Sequence, residues 1–373
     1  MVAFFVNYLN HHQVAVADEL YNSLKEDFVC VCTLPPNALE LKGGDDFSSR
    51  PYCINAAANS SALRTAISYA RTADVCLFGA ESLSFAVERA RCNKMGLSFE
   101  IGERWLKKGI INILSPRLIK NLWYYHTLFR YSNFYKLCAS AYAARDQKVL
   151  LSYRNKCYKW GYFPKPIESK SKDSISKPIS VMWCSRFLNW KRPDLPIKAA
   201  SILKKKGYDF ILDMYGDGEE LENCKELSTK LSLENRVNFY GNVHNHKIIA
   251  EMKKHDVFLF TSDRNEGWGV VLNEAMSSGC AVVCSDMIGS VPYLIRNNEN
   301  GLIFRSGDLK SLVERIEYLF ANQDKITKLG SNAKQTINDV WAPQVAVSNF
   351  LRLVSDLTNG KDTSVLEGPC SKA

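Results

Sequence analysis

No stretch of this 373-residue chain approaches the ~18 uninterrupted apolar residues of a membrane-spanning helix, although 46% of its residues are hydrophobic. The opening Met1-Val2-Ala3-Phe4-Phe5-Val6-Asn7 lacks the charged segment and long apolar run of a secretory signal. Twelve cysteines are present, yet there is no C-x-x-C pair and no Cys/His group at zinc spacing. Several lie in strand-like runs such as Phe28-Val29-Cys30-Val31-Cys32 and Ala281-Val282-Val283-Cys284, where a reduced thiol acts as a small core residue. A G-x-G-x-x-G turn after a strand is also missing, which argues against a nicotinamide-dependent dehydrogenase. These absences predict a reduced cytoplasmic protein, and the length suggests two or three domains.

Charge is unevenly spread. The whole chain carries 48 Lys and Arg against 39 Asp and Glu, and residues 101–165 alone hold thirteen against two. No acid occurs between Glu103 and Asp146, while Arg104, Lys107, Lys108, Arg117, Lys120, Arg130, Lys136 and Arg145 alternate with Trp105, Trp123, Tyr124, Tyr125, Phe129, Tyr131, Phe134 and Tyr135. Such a basic, aromatic-rich segment (104–145) can dock peripherally on an anionic membrane, the inner face of the cell membrane for a cytoplasmic protein. Equally, it can be a pair of packed helices with aromatics inward and cations in water. No zinc-finger or RNP-type motif supports nucleic acid as a partner.

Apolar runs and amphipathic segments alternate along both halves. Strands are predicted at Val2–Leu9, Phe28–Cys32, Val75–Phe78 and Leu97–Ile101, with helices at Val14–Leu24, Ser61–Ala73 and Phe85–Cys92. A loop through Pro35, Pro36, Gly43, Gly44 and Pro51 interrupts the first set. The Ser- and Lys-rich, proline-bounded stretch within 166–178 reads as a linker. Beyond it come strand candidates at Val181–Cys184, Phe210–Tyr215, Val237–Tyr240, Val257–Phe260, Ala281–Cys284 and Leu302–Phe304, each separated by helical signals. This predicts an α/β protein of two Rossmann-like domains facing a cleft. Residues 1–165 form the first domain and 179–340 the second. A helix is predicted over 341–358, and a polar tail, 359–373, frays.

Ligands of open α/β sheets bind beyond the carboxyl ends of strands, so the residues after each strand matter most. After Val257–Phe260 comes Thr261-Ser262-Asp263-Arg264-Asn265-Glu266-Gly267-Trp268-Gly269-Val270, then a helix that stops at Gly279. The loop amides of Gly267, Trp268, Gly269 and Val270, aided by the helix dipole, suit an anion. Glu266 and Glu274 could each accept hydrogen bonds from a polyol on either side of a phosphate. After Val181–Cys184, Arg186 and Lys191 leave the strand end five residues apart, a spacing that lets two cations converge on a diphosphate.

These residues, in order with Tyr215-Gly216-Asp217-Gly218 and Phe239-Tyr240-Gly241-Asn242-Val243, resemble the carboxyl-terminal domain of retaining GT-B glycosyltransferases of family 4. The resemblance covers about residues 178–357. It implies that domain 1–165 binds the acceptor, that 179–340 binds the nucleotide sugar, and that the helix over 341–358 crosses back to the first domain. It implies that Glu266 contacts the donor sugar's hydroxyls, Glu274 the ribose hydroxyls, and Arg186 with Lys191 the leaving diphosphate, while Asn242 and Val243 lie near the base. It further implies transfer from a UDP- or GDP-linked sugar to a glycan or lipid-linked acceptor, with retention, no metal ion and no cofactor beyond the donor. The runner-up is a non-catalytic subunit of the same fold. In the first half, many relatives carry a Gly-rich turn where this chain has Asn10-His11-His12. His11 and His12 after the first strand, with Glu100 and Glu103 after a later one, are acceptor or cleft candidates. Helix capping is the competing role for the histidines.

Overall fold

A computed structural model describes residues 1–34, 47, 49–167 and 174–373. Pro35, Pro36, Gly43 and Gly44 of the expected loop, and residues 168–173 of the expected linker, lie outside the described residues. The chain divides into two compact units, Met1–Lys165 together with Val340–Ala373, and Pro166–Asp339.

Parallel pairing organises the first unit. Strands β1 (Val2–Val6), β2 (Phe28–Cys32), β3 (Cys53–Asn55), β4 (Val75–Phe78), β5 (Leu97–Gly102), β6 (Phe134–Cys138) and β7 (Cys157–Lys159) lie in the order β3-β2-β1-β4-β5-β6-β7. β1, β2 and β4 are buried along their whole length. Strands covered on both faces must bury every side chain, which is why these read as unbroken apolar runs rather than alternating ones. Between strands come α1 (Val14–Leu24), α2 (Ser60–Thr72), α3 (Leu83–Cys92), α4 (Pro116–Thr127) and α5 (Ala143–Val149). Asn59 caps α2 by accepting from the Ala62 N–H, and Ser115 starts α4 just before Pro116.

The second unit repeats the plan. Strands β8 (Ile179–Cys184), β9 (Phe210–Tyr215), β10 (Val237–Phe239), β11 (Val257–Phe260), β12 (Ala281–Ser285) and β13 (Leu302–Phe304) run in the order β10-β9-β8-β11-β12-β13. They are covered by α6 (Asp194–Lys205), α7 (Leu221–Lys230), α8 (Asn245–Met252), α9 (Val271–Ser277), α10 (Val291–Leu294), α11 (Leu309–Ala321) and α12 (Gln323–Asp339). Each unit therefore has a strand order that reverses beside its first strand, at β1/β4 and at β8/β11. That reversal opens a crevice at the carboxyl end of a doubly wound sheet.

The last helix, α13 (Pro343–Thr358), belongs to the first unit. It packs on α1, where Gln344 donates to Glu19 (2.9 Å), and its Phe350 meets Phe99 edge-on with centroids 5.2 Å apart.

Two expectations are corrected. The tail 359–373 does not fray. Cys370 and Ser371 are buried, Lys372 forms an antiparallel bridge with Tyr158, and the Lys159 N–H donates to the Ser371 carbonyl (2.8 Å). An edge strand offers a row of unpaired backbone groups, and the polar tail satisfies part of the β7 edge. The basic segment is not a helix pair either. Between α4 and α5 it runs through β6, where Lys136 is fully buried rather than in water.

Candidate active site

Three strand ends of the second unit are tied together by backbone bonds. Ser185 N–H donates to the Tyr215 carbonyl (3.1 Å), Phe187 N–H to Asp217 (2.9 Å) and Gly216 N–H to Gly241 (2.7 Å). This closeness depends on two glycines. At Gly216 (φ +127°) a Cβ would lie 1.9 Å from the Ser185 carbonyl oxygen, and at Gly218 (φ +150°) 2.5 Å from that of Phe187. Phe187 is buried against Trp183 (centroids 4.8 Å) and anchors the loop after β8. Arg186 beside it is exposed; its carbonyl accepts from the Leu188 N–H (2.9 Å), and its guanidinium makes no hydrogen bond or ion pair among the described residues.

The chain then makes a 3-10 turn at Asn189–Lys191 and passes Arg192 in the left-handed region (φ 54°). The Thr261 hydroxyl, just after β11, lies 2.9 Å from the Lys191 carbonyl and 3.1 Å from that of Arg192. It also accepts from the Trp183 indole N–H (2.9 Å). Asp263 N–H donates to the Trp190 carbonyl (2.9 Å). These bonds join the loops on either side of the β8/β11 switch point and bring Lys191 to Glu266.

The Lys191 ammonium and the Glu266 carboxylate are ion-paired, and both side chains are about nine-tenths buried. The Ser262 hydroxyl donates to the same carboxylate oxygen (2.9 Å), and the Trp190 ring lies 4.3 Å from the Lys191 nitrogen. A buried pair of this kind is sensitive to the loss of either partner, because the remaining charge is left without compensation.

Glu274, on α9, is buried and accepts from the Asn245 side-chain amide (3.0 Å). Burial pushes its carboxyl up to about 7, with the Asn245 bond opposing that shift.

The intervening loop presents backbone. Gly269 (φ +79°) has no room for a side chain, since a Cβ would lie 2.2 Å from the Phe260 ring. Trp268 is fully buried, with its indole N–H on Asn273 (2.9 Å) and its carbonyl accepting from the Ser290 hydroxyl (2.6 Å). Only its main chain can meet a ligand. Gly267 and Val270 flank this pair, Val270 capping α9. Asn242 is exposed and Val243 half-buried, after β10.

The first-unit candidates are engaged locally. The Asn10 side chain accepts from the His12 N–H (2.9 Å), whereas the cap of α1 is Gln13, so the histidines do not cap the helix. The His11 and His12 rings lie 3.7 Å apart, and the Tyr162 ring lies 5.8 Å from His12. Burial, with His11 adding to it, drives His12 down to about 3, so it is neutral across the physiological range. Its Nδ1 is buried without a hydrogen bond among the described residues. Glu100 receives Lys136 on one oxygen and the Tyr153 hydroxyl on the other, both at 2.5 Å. Glu103 is held by Lys107 (2.7 Å) and Tyr162 (3.4 Å).

Sequence reading did not single out Thr261, Ser262 or Asn245. Ser262 had a readable signal, four positions before Glu266 in the same loop. Asn245 had none, because its partner is 29 positions away.

Residues 164–336 match the family model described as glycosyl transferases group 1. An uncharacterized glycosyltransferase of Methanocaldococcus jannaschii is 28% identical over 193 residues, 52% of this chain and 49% of that protein. The N-acetyl-alpha-D-glucosaminyl L-malate synthase of Bacillus anthracis is 27% identical over 207 residues, 54% of this chain and 53% of that protein. The chain thus spans about half the length of these curated relatives. Among solved structures, Anabaena HepE in complex with UDP and glucose superposes with a TM-score of 0.68 at 18% identity, covering 95% of this chain and 99% of that one. With its two doubly wound sheets, the chain has the GT-B fold, and its segment 164–336 is similar to the glycosyl transferases group 1 family.

Proposed function

We propose that the protein is a retaining hexosyltransferase that moves a sugar from a nucleotide-diphosphate donor to a glycan or lipid-linked acceptor without a metal ion. The observation that carries this reading is the buried Lys191–Glu266 pair at the β8/β11 switch point. Breaking the bond between the anomeric carbon and the phosphate oxygen leaves positive charge on the sugar and negative charge on the diphosphate. A fixed ammonium beside that oxygen stabilises the transition state more than the ground state, since the charge it meets is still developing. Arg186, exposed nearby in sequence, supplies a second cation with a fork that fits phosphate. Together these two groups offer the charge neutralisation that a divalent ion would otherwise provide.

The other roles follow. Glu266 accepts from sugar hydroxyls and positions the anomeric carbon. Glu274 accepts from the ribose, and the amides of Gly267–Val270 hold phosphate or sugar oxygens. Asn242 and Val243 flank the base. The departing phosphate oxygen takes the acceptor hydroxyl's proton as the new glycosidic bond forms, so no covalent sugar–enzyme intermediate is needed. His11, His12, Glu100 and Glu103 serve the acceptor side. HepE's complex with UDP and glucose, at the same fold, favours uridine as the base to test first.

The test is a panel of UDP- and GDP-linked hexoses and N-acetylhexosamines, read by thermal shift and by nucleoside diphosphate release with and without EDTA. One donor should raise the melting temperature and turn over equally with chelator. Binding with no release, given any acceptor extract, would favour a non-catalytic subunit.

We also propose that the first unit docks on an anionic membrane. Ile110, Ile111 and Leu114 are 72%, 68% and 75% exposed just before α4. Ile119 and Trp123 follow on α4, four residues apart and so on one face, and both are exposed. Lys108, Arg117 and Lys120 are exposed among them. An apolar stripe rimmed by cations matches the interfacial zone of an anionic bilayer, where each cation contributes about 1 kcal/mol. Sedimentation with phosphatidylglycerol vesicles should be strong for the wild type and lost in a Trp123→Ser, Lys108→Ser, Arg117→Ser, Lys120→Ser variant. Unchanged sedimentation would return these cations to a solvated face. No helix among the described residues is long and apolar enough to cross a membrane.

A further inference from the structure

We propose that Cys30, Cys32 and Cys53 form a three-sulfur site for one soft, singly charged metal ion of the Cu(I) class, independent of the reaction above. The strand register builds it. Cys30 and Cys32 are two apart on β2 and therefore point to the same face of the sheet. The parallel pairing of β2 with β3 sets Cys53 directly beside Cys30. All three sulfurs lie within 4.8 Å of one another. Three sulfurs each about 2.3 Å from a common centre would be about 4.0 Å apart in a flat triangle. The thiols thus stand within small side-chain rotations of enclosing an ion.

The donor set selects the metal. Sulfur-only ligation favours soft ions. Asp18, the nearby carboxylate on α1, is already held by the Tyr52 hydroxyl (2.6 Å) and by Arg50 (3.0 Å). Among the described residues the cluster contains no histidine or carboxylate. Three ligands suit trigonal Cu(I), whereas a structural zinc site takes four.

Burial also fits. Cys30 and Cys32 are almost fully buried, while Cys53 is half-buried on the edge strand β3, giving a way in. A metal ion is bound by the thiolate, so each thiol that ligates Cu(I) releases its proton to solvent. Affinity should therefore fall on acidification.

The reduced full chain is titrated anaerobically with Cu(I) held by bicinchoninate. The wild type should withdraw one ion per chain and show three sulfurs by copper-edge X-ray absorption. Outer-shell changes at metal sites already cost 10–100-fold, so Cys53→Ser should weaken binding by about 100-fold or more. Cys92→Ser, at the exposed cysteine, and Cys138→Ser, which breaks up the other close thiol pair with Cys157, should bind like the wild type. Unaltered binding by Cys53→Ser, loss in Cys138→Ser, or tighter zinc than copper binding would each overturn the site. Far-UV circular dichroism checks that Cys53→Ser is folded; should it not be, Cys32→Ser carries the same comparison.

Discussion

Lys191 and Glu266 stand 75 positions apart in sequence and share one buried ion pair, so each can be probed through the other. In Glu266→Ala the ammonium is left buried without its carboxylate, which should cost about 3 kcal/mol of stability, while the Lys191 backbone stays tied to the Thr261 hydroxyl. Transfer should fall by about a thousandfold, as expected for a group that acts on the transition state, while UDP affinity stays within a few fold by calorimetry. A large loss of affinity would move Glu266 from the sugar to the nucleotide. Lys191→Ala should weaken UDP far more than uridine and destabilise the fold by about 3 kcal/mol in urea, because Glu266 is then buried alone. Glu274 adds a pH signature. Its carboxyl is raised from 4.5 to about 7, so the folded state keeps a proton that the unfolded chain releases between those values. Stability should therefore decline as pH rises through that window, by about 3 kcal/mol at most, and level off above it. Glu274→Gln keeps the Asn245 bond and lacks the slope. It should melt above the wild type at pH 8 and like it near pH 4.5, yet bind nucleotide more weakly.

The loops rather than the strands depend on glycine. Gly216→Ala must displace the Ser185 carbonyl, 1.9 Å from the added Cβ, at a backbone angle that L-residues rarely adopt. The expected cost is about 2–4 kcal/mol. UDP binding should be lost along with it, since Arg186 leaves from the same loop; intact binding would separate Arg186 from the site. Several elements matched their sequence signal closely: α1, β2, β4, β9 and β11 begin and end where periodicity placed them. The misses have a physical pattern. β3 and β7 have three residues each, too few to show a period. β6 was hidden by Lys136, which reads as a solvent-facing residue. Its ammonium is instead satisfied by Glu100 and by the Trp105 ring 4.6 Å away, partners that belong to other elements.

At the scale of the whole chain, the tail 359–373 is part of the first unit's fold. Asp362 accepts from the Tyr158 hydroxyl (2.9 Å), and Ala373 N–H donates to the Cys157 carbonyl (3.2 Å). Deleting 359–373 should lower the melting of the first unit by several degrees and open the β7 edge to proteolysis, with UDP binding by the second unit retained. Equal loss of both would mean that the units unfold together. The sequence by itself determined the two α/β halves, the position of the strand ends and the acidic, glycine-containing loop between β11 and α9, because hydrophobic periodicity and turn chemistry act over a few residues. Only the tertiary structure decided that Lys191 meets Glu266, that Asn245 supports Glu274, and that Cys53 joins Cys30 and Cys32. Those meetings depend on strand order and register, which long-range packing sets and which no local spacing encodes.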